Sequence, residues 1–457
     1  MYKKDAIYIC RKWDFIEKKG ERTLVLWSNI PTWMVVDDEL HSLLKMLDGK
    51  NTVGMIMSKF PKTLTEEQFG QILSFLTAMN VVYEKWNYKP VPEIKESKIS
   101  EVVIHPTNRC NLNCIMCSNK YNQVQKKDEI STDKIKQFLD DTLEFAVEGV
   151  TLSIIGGEPL LKADVVLELA RYAKKIGFAK VGISTNGTLM TKEFAKEAKK
   201  LDMEIQVSID GTNEEENDYL RGKGTFKKIV RAIKILKDED VFVVTNFLCH
   251  TGNYDSLEKY FKLALKLKVD SARFGPIKRV GGGKNEEVNN IPVDKLLRDS
   301  HVLFTKHPEF VKLLGKDYYS AFANSCRLKV KFGYCGTGLA TLLLNPDGSI
   351  YPCPGHVLPE FKAGNILDDS FSNIWQHSPV LKKIRNTYPI NKLNEKCSKC
   401  IVRHFCLGGC RAEAYHCTHS MTAPAIECEN IKKAIIETIW LLSTTPTLGT
   451  GKVYRFD

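Results

Sequence analysis

The chain has 457 residues, of which 43% are hydrophobic and 26% are charged, and its formal net charge is +11. This composition is typical of a folded protein with several domains and excludes a low-complexity chain. The first residues contain no apolar run typical of a signal peptide, and no stretch of about 18 apolar residues follows, so we expect a cytoplasmic protein with no membrane partner. Because the lysines form no concentrated basic stripe, we expect no nucleic-acid partner.

Residues 1–90 form the first predicted unit, a separate winged-helix-like module. The β-rich runs AIYICRKWDFIE and RTLVLWSN flank the turn-like KKGE and predict a hairpin. Three helical patterns follow, in DDELHSLLKML, NTVGMIMSKF and TEEQFGQILSFLTAMNVV. Residues 91–100 continue a segment rich in Pro and Lys and are predicted to be a linker.

Six short apolar runs alternate with amphipathic helical stretches between residues 101 and 285. The runs are EVVIH, GVTLSII, KVGIST, EIQVSI, VFVVTNFL and SARFGPI. This alternation predicts an α/β fold with a parallel sheet, open or curled into a partial (β/α)6 TIM-like barrel. In such folds the chemistry is found at the carboxyl ends of the strands. A connecting helical region is predicted for residues 286–325.

The cysteines are the strongest chemical signal in the chain. There are 14 of them, and all except Cys10 and Cys249 lie in two zones, at 110–117 and 326–428. Such clustering favours metal ligands over disulfides in a reducing compartment. The first zone supplies only three thiolates, from Cys110, Cys114 and Cys117. Three thiolates would leave one iron of a cubane cluster open, as in catalytic sites, whereas a structural zinc site lacking its fourth ligand is the alternative.

The spacing Cys-x3-Cys-x2-Cys after the first predicted strand resembles the signature of the radical S-adenosylmethionine (SAM) superfamily. In that family the methionine part of SAM chelates the fourth iron. The motifs GGEPLL, STNGT, SIDG and YLRGKGTF follow the next strands in the order that the family has them. The resemblance implies the following SAM-binding residues: Met116 near the adenine, Gly156 and Gly157 where the backbone approaches the ligand closely, Glu158 at the ammonium group, Ser184 or Asn186 at the ribose, and Ser208 and Arg221 at the carboxylate.

The second cysteine zone is similar to the SPASM extension of the same superfamily. The similarity rests on Cys397-x2-Cys400-x5-Cys406-x3-Cys410 and on the run from Cys335 through Gly348 to Cys353. It implies two auxiliary 4Fe–4S clusters within residues 326–430, and therefore three clusters in total, followed by a C-terminal helix and tail at 431–457. The implied ligands are Cys326, Cys335, Cys353 and Cys410 for the first auxiliary cluster, and Cys397, Cys400, Cys406 and Cys428 for the second.

Two ligand assignments stay open in the sequence. Cys417 is an alternative to Cys428 in the second auxiliary cluster. Cys326 lies far from Cys335 for this pattern, and without it the first auxiliary cluster would keep an open iron able to bind a substrate thiolate.

These resemblances imply an enzyme that cleaves SAM reductively to a 5′-deoxyadenosyl radical, with electrons from a protein such as flavodoxin or ferredoxin. The N-terminal module resembles the PqqD-like elements that bind leader peptides as an added strand. The implied substrate is a ribosomally made precursor peptide. The implied product is an oxidative thioether or another side-chain cross-link, as in sactipeptide maturation. A nucleic-acid-binding winged helix or a plain packing unit is the alternative for the module.

Two alternative functions explain part of the same sequence pattern. A formylglycine-forming enzyme similar to anaerobic sulfatase maturases would carry an acidic residue directly after the cysteine of YPC, where this chain has Pro354. A non-catalytic iron–sulfur electron-transfer protein would not need the motifs at 156–158 and 208–221. His356, in CPGH, follows a predicted cluster ligand closely, and a structural role is favoured for it.

Overall fold

The computed structural model describes residues 3–30, 32–59, 65–85, 87, 97–119, 128–285, 289–314, 335–387 and 389–444. Most of the predicted linker at 91–100 and the predicted ligand Cys326 lie outside these residues. No helix within the described ranges is both long enough and apolar enough to cross a membrane.

The described residues of the N-terminal module form two three-stranded sheets and three helices. Its elements are β1 (Ile7–Cys10), β2 (Phe15–Lys19), β3 (Arg22–Trp27), β4 (Thr32–Val36), α1 (Asp38–Met46), β5 (Asp48–Thr52), α2 (Val53–Lys59), α3 (Glu66–Ala78) and β6 (Val82–Glu84). The strand orders are β5-β1-β6 and β2-β3-β4. The predicted hairpin is β2–β3, but the run AIYICRKWDFIE is divided between the two sheets. The chain turns there because Arg11 binds the carbonyl of Asn80 and Asp14 accepts the Ser28 N–H.

The central part of the chain alternates strands and helices as predicted. Its elements are β7 (Ile99–Ile104), α4 (Thr132–Leu143), β8 (Ala146–Ile154), α5 (Ala163–Ile176), β9 (Lys180–Thr185), α6 (Lys192–Lys200), β10 (Met203–Ser208), α7 (Glu214–Arg221), α8 (Thr225–Asp238), β11 (Phe242–Cys249), α9 (Leu257–Lys266) and β12 (Ser271–Pro276). The six strands are parallel and lie in the order β12-β11-β10-β9-β8-β7. The prediction of six strand–helix units in a partial barrel is therefore confirmed.

The barrel strands separate an apolar outer face from a polar inner face. In β10, Ile205 and Val207 are fully buried in the main core, whereas the alternating positions Glu204, Gln206 and Ser208 are half-buried. Successive side chains of a strand point to opposite faces, and the helices cover the apolar one. The inner face of β10 is consequently polar, and the neighbouring β11 adds the apolar Val244 beside Gln206.

The C-terminal part extends the same sheet. Its elements are α10 (Val293–Lys306), β13 (Thr341–Leu344), β14 (Ser349–Tyr351), β15 (Gly364–Asn365), α11 (Phe371–His377), α12 (Pro379–Thr387), α13 (Ile390–Leu393), α14 (Glu395–Ser398), α15 (Arg403–Cys406), α16 (Arg411–Thr418) and α17 (Cys428–Thr444). β13 pairs with β7 in parallel and with β14 in antiparallel fashion, giving a nine-stranded sheet. The Asp347-Gly348 turn in LATLLLNPDGSIYPC predicts the β13–β14 hairpin, whereas no sequence pattern predicts its pairing with the barrel.

Two element ends differ from the boundaries drawn on the sequence. β7 begins at Ile99, inside the predicted linker, and α17 begins at Cys428, before the predicted start of the C-terminal helix at residue 431. In both cases the regular hydrogen bonding begins before the predicted boundary.

The β2-β3-β4 sheet of the N-terminal module is buried on both faces. Val25 packs within the core of the module, whereas Leu24 and Leu26, on the opposite face, join the main core that includes α17. Trp440 of α17 also donates a hydrogen bond from its Nε1 to Glu17 Oε2 at 2.5 Å. The module thus shares part of the main hydrophobic core with the rest of the protein, whereas the sequence predicted a separate unit.

Candidate active site

Cys110, Cys114 and Cys117 lie together in the loop after β7, at the carboxyl end of the barrel strands. Burial raises the pKa of Cys114 to about 11, while the positive charge of Arg221 acts in the opposite direction. Metal ligation requires the thiolate. The guanidinium therefore favours the form of Cys114 that binds iron.

The glycines of GGEPLL lie against the backbone of this cysteine loop. The N–H of Gly157 donates to the carbonyl of Thr107 at 3.0 Å, and the N–H of Glu158 donates to that of Arg109 at 2.9 Å. A Cβ at Gly157 would lie 2.1 Å from the Arg109 carbonyl oxygen, and one at Gly156 would lie 2.5 Å from that of Thr107. The close approach expected of these glycines is made here to the chain's own backbone.

A second glycine segment, Gly281–Gly283 after β12, holds the other end of the loop. The Gly282 N–H donates to the Cys117 carbonyl at 2.8 Å, and a Cβ at Gly282 would lie 2.4 Å from the Ile115 carbonyl oxygen. These glycines were not among the predicted site residues. The sequence feature that could have indicated them is the run of three consecutive glycines after the last barrel strand, since such a run permits close packing of backbone against backbone.

The Glu158 carboxylate is fully buried and bonded within the protein. Its Oε1 accepts hydrogen bonds from the Leu160 N–H and the Thr185 hydroxyl at 2.9 and 2.6 Å, and its Oε2 accepts the Asn186 N–H at 2.8 Å. Glu158 therefore joins the loops after β8 and β9. Binding of the SAM ammonium group by Glu158 stays a prediction.

The other predicted polar residues lie on the inner face or at its rim. The Asn186 side chain donates to Asn111 Oδ1 at 2.9 Å and lies 3.8 Å from Cys110 Sγ. Ser184 is further inside the barrel and accepts a hydrogen bond from Gln206 at 3.0 Å. Ser208, the last residue of β10, is half-buried on the same face.

Arg221 is buried beside the cysteine loop and forms an ion pair with Asp210. Its Nη2 lies 2.5 Å from Asp210 Oδ2, and its carbonyl oxygen lies 4.0 Å from Cys114 Sγ. The Nε of Arg221 has no hydrogen-bond partner among the described residues, although the side chain is only 8% exposed. An unpaired buried donor of this kind fits the carboxylate of SAM. Asp210, the residue that fixes the guanidinium, was not predicted.

Met116 is 6% exposed and packs with Leu220 and Ile277. The Leu220 carbonyl also accepts the Ile115 N–H at 3.1 Å. Met116 therefore lies in an apolar cluster on the cysteine loop, and its proposed contact with adenine stays a prediction.

A buried carboxylate missed by the sequence analysis supports the start of this loop. Glu129 accepts hydrogen bonds from the Thr107 hydroxyl at 2.5 Å and from Lys162 Nζ at 2.8 Å, and its side chain is 3% exposed. Arg109 Nε lies 3.4 Å from the same carboxylate. Nothing in the sequence pattern marks Glu129, because its partners Thr107 and Lys162 belong to other segments of the chain.

Cys335, Cys353 and Cys410 come together at the open end of the β13–β14 hairpin, opposite its turn. Burial, together with the charges of Cys353 and Cys410, raises the pKa of Cys335 to about 11. The donor set fits three corners of a cubane cluster. Cys326, the expected fourth ligand, lies outside the described residues.

Cys397, Cys400, Cys406 and Cys428 form the second auxiliary group. The four side chains line one cavity, and burial with the charges of the other three thiols raises the pKa of Cys406 to about 12. Cys417 is elsewhere, with its Sγ 3.8 Å from the carbonyl of Arg279. This arrangement favours Cys428 over Cys417 as the fourth ligand.

The described cysteines do not converge as they would around a single ion. No group of three or more His, Cys, Asp or Glu side chains in the described ranges is arranged to hold one metal ion. In a 4Fe–4S cluster each thiolate binds a different iron, so its ligands need not meet at one point.

Arg411 lies between the two auxiliary groups and is 1% exposed. Its guanidinium donates to the carbonyls of Met421 and Ala423 at 3.0 and 2.6 Å and to that of Gly408. Its charge also lowers the pKa values of cysteines in both groups, against the effect of burial. Arg411 therefore combines structural hydrogen bonds with stabilisation of thiolates.

Replacing Gly282 with alanine should displace the cysteine loop, because the new Cβ meets backbone atoms that cannot rotate away. We expect Gly282→Ala to lose about four irons per chain, the content of one 4Fe–4S cluster, after anaerobic reconstitution. Gly54→Ala, whose Cβ would lie 3.3 Å from its nearest neighbour, is the control and should keep the parent iron content. Full iron retention by Gly282→Ala would contradict this role.

Replacing Arg411 with methionine should weaken both auxiliary sites, because three carbonyls lose a charged donor at about 1.5–3 kcal/mol each. We expect Arg411→Met to lose about eight irons per chain. The matched control is Arg385→Met, since Arg385 also binds carbonyls, those of Gly338 and Trp375. Equal iron loss in both variants would show that general destabilisation, and not the charge near the cysteines, is responsible.

Comparison with known proteins gives two family matches along the chain. Residues 104–264 match the radical SAM superfamily, and residues 335–401 match the SPASM iron–sulfur cluster-binding domain. The AdoMet-dependent heme synthase of Methanosarcina barkeri is 30% identical over 331 residues, which are 68% of this chain and 91% of that protein. The mycofactocin maturase MftC of Mycolicibacterium smegmatis is 29% identical over 71% of this chain and 84% of that protein.

The fold is also similar to a solved structure over nearly its whole length. Streptococcus suis SuiB bound to the precursor peptide SuiA aligns with a TM-score of 0.58 and 17% identity, covering 93% of this chain and 99% of that chain. The structural alignment therefore extends beyond residues 104–264 and 335–401, the two regions that match family models. With its cysteine loop at the carboxyl ends of the strands and its second cysteine zone, the chain belongs to the radical SAM superfamily as an iron–sulfur enzyme with a SPASM domain.

Proposed function

We propose that the enzyme is a peptide maturase that oxidatively modifies a ribosomally made precursor peptide, forming a thioether or another side-chain cross-link. The observation that carries the proposal is a module with an open strand edge, packed onto a radical SAM barrel that also has two auxiliary cysteine groups. The maturase MftC and the peptide-bound SuiB structure among its relatives support this substrate class.

In this proposal the cysteine loop holds the first 4Fe–4S cluster through Cys110, Cys114 and Cys117. When bound, this cluster and SAM supply a 5′-deoxyadenosyl radical, with the electron coming from a protein such as flavodoxin or ferredoxin. The buried Arg221 binds the SAM carboxylate through its unpaired Nε, and Asp210 keeps the guanidinium oriented. Asn186 binds at the ribose, beside Cys110.

The polar interior of the barrel is the proposed place of the substrate side chain. It lies between the cysteine loop at the carboxyl end of the strands and Cys353. Burial raises the pKa of Cys353, and the nearby carboxylate of Glu101 on β7 acts in the same direction. Glu101 accepts a hydrogen bond from Ser153 at 2.7 Å, and Arg273 lies 3.3 Å from Gln206 Oε1. These charged and amide groups would orient a peptide and exclude bulk water.

The edge of β4 is the proposed binding place of the leader peptide. Both outer strands of the β2-β3-β4 sheet have one open edge among the described residues. β2 has the sequence FIEKK, and charged edge strands resist further pairing, whereas β4 has the uncharged sequence TWMVV. An extended peptide can add to such an edge through its backbone, as in other peptide-binding modules.

The two auxiliary clusters and the cellular location complete the proposal. Cys335, Cys353 and Cys410 with Cys326 would hold one cluster, and the four cysteines of the second group would hold the other. A cluster held by either cysteine group would be able to accept the electron that a substrate radical loses when it is oxidised. Reduced, unpaired cysteines are maintained in the cytoplasm, which is the proposed location.

A formylglycine-forming activity is less well supported by the same site. Pro354 follows Cys353 where the sulfatase maturases have an acidic residue, and Pro354 has no group that could act as a base. The peptide-maturase proposal does not require a base at this position.

Replacing Cys114 with alanine should abolish SAM cleavage, because the cluster that receives SAM loses one of three ligands. We expect about eight irons per chain in Cys114→Ala against about 12 in the parent. The readouts are iron content and 5′-deoxyadenosine formation by chromatography under strong reductant. Cys10→Ala should match the parent in both, and 5′-deoxyadenosine formation by Cys114→Ala would refute the assignment.

Leader binding at β4 should be visible as slower amide hydrogen exchange at that strand. The probe is a synthetic peptide with the sequence of a candidate leader, chosen from the short reading frames in the neighbourhood of the gene. With the peptide at 100 times its Kd, exchange of newly paired amides should slow by up to about 100-fold. The fragment containing β2 serves as the internal control and should not change, so protection of β2 alone, or of neither strand, would reject this binding mode.

A further inference from the structure

His356 lies buried between the first auxiliary cysteine group and Met421. Its ring is 1% exposed, with Nδ1 at 3.0 Å from Cys353 Sγ and Nε2 at 3.1 Å from Met421 Sδ. Phe361 packs edge-on against the ring at 4.7 Å between centroids. The ring is thus held with one nitrogen facing a predicted cluster ligand and the other facing a thioether.

The short separation between Nδ1 and Sγ distinguishes a hydrogen-bond donor from a further iron ligand. Ligands of different irons stand at different corners of a cubane, farther apart than a hydrogen bond. At 3.0 Å the imidazole nitrogen shares the corner of Cys353. It is therefore placed to donate to the sulfur of Cys353 and not to replace Cys326 at another corner.

The two sulfur partners decide which nitrogen carries the proton. A neutral imidazole has one N–H, and a thioether sulfur is a weak acceptor. A cluster-bound thiolate is an anion and a stronger acceptor, so the N–H belongs at Nδ1. The Thr337 hydroxyl lies 3.2 Å from Nδ1 and is also a hydrogen-bond partner of the Cys353 thiol. The backbone N–H groups of Gly355 and His356 are further partners of that thiol.

We propose that His356 is a positioning residue that tunes the first auxiliary cluster, by donating Nδ1–H to Cys353 Sγ and so raising the reduction potential. The inference rests on the proposed cluster at Cys335, Cys353 and Cys410. Reduction adds one electron to the cluster and moves no proton, and the added negative charge strengthens the hydrogen bond to sulfur. A higher potential would make this cluster, beside the barrel interior, a better acceptor for the electron that a substrate radical loses.

The test compares three substitutions that differ in where they keep an N–H. The side-chain amide of His356→Asn can reach the Nδ1 position, that of His356→Gln reaches the Nε2 position, and His356→Leu has no donor. The reduction potentials of the reconstituted holoenzyme are measured by titration with dithionite, followed by electron paramagnetic resonance. Met421→Leu removes the sulfur at Nε2, keeps the Nδ1 contact, and is the matched control.

We expect one of the cluster couples to shift downward in His356→Leu and His356→Gln. At the parent midpoint the ratio of reduced to oxidised cluster should fall about tenfold, which is 59 mV for a one-electron couple. His356→Asn and Met421→Leu should keep the parent potential, and all variants should keep the parent iron content.

Three results would overturn the inference. Unchanged potentials in His356→Leu would remove the donor role, equal shifts in all three variants would show a packing effect, and loss of about four irons in all three would show that the ring only holds the site together. A parent iron content near four would instead refute the auxiliary clusters themselves, and this is measured before any variant is made.

Discussion

The site depends on backbone contacts that hold an irregular loop in place. Cys110 to Cys117 belong to no helix or strand, so the spacing of their sulfurs cannot come from a regular element. Backbone hydrogen bonds from the loop after β8 hold the start of this run, and those from the triple glycine after β12 hold its end. Both contacts need residues without a side chain, because backbone lies directly against backbone at each point.

The same loops connect the cysteine group to the residues proposed to bind SAM. Glu158 bonds to Asn186, Asn186 lies beside Cys110, and Arg221 contributes both a charge and a backbone carbonyl near Cys114. A shift in any one of these loops would therefore move cluster ligands and cofactor ligands together. Preorganisation of this kind is what a radical reaction requires, since the reacting atoms must be held while water is kept out.

Much of the architecture could be predicted from the sequence, because local patterns determine it. The six barrel strands and the β13–β14 hairpin follow from apolar runs and an Asp-Gly turn. Contacts between distant segments carry no such local pattern. Glu129 and the Gly281–Gly283 segment act through partners far along the chain, and the division of the first β-rich run between two sheets depends on Arg11 meeting Asn80. Asp210 and Arg411 bind nearer partners, such as Arg221 and Met421, but a single ion pair or side chain-to-carbonyl bond leaves no periodic pattern in the sequence. The roles expected of Glu158 and Met116 toward SAM stay predictions.

The burial of the first sheet under the last helix has a consequence for biosynthesis. Leu24 and Leu26 emerge from the ribosome early, whereas α17, which covers them, is made more than 400 residues later, as the separation between Glu17 and Trp440 indicates. Until then one apolar face of the nascent sheet has no native cover, and exposed apolar surface of this kind promotes aggregation. We therefore expect the nascent chain to need chaperone protection, and folding to be completed slowly through this long-range contact.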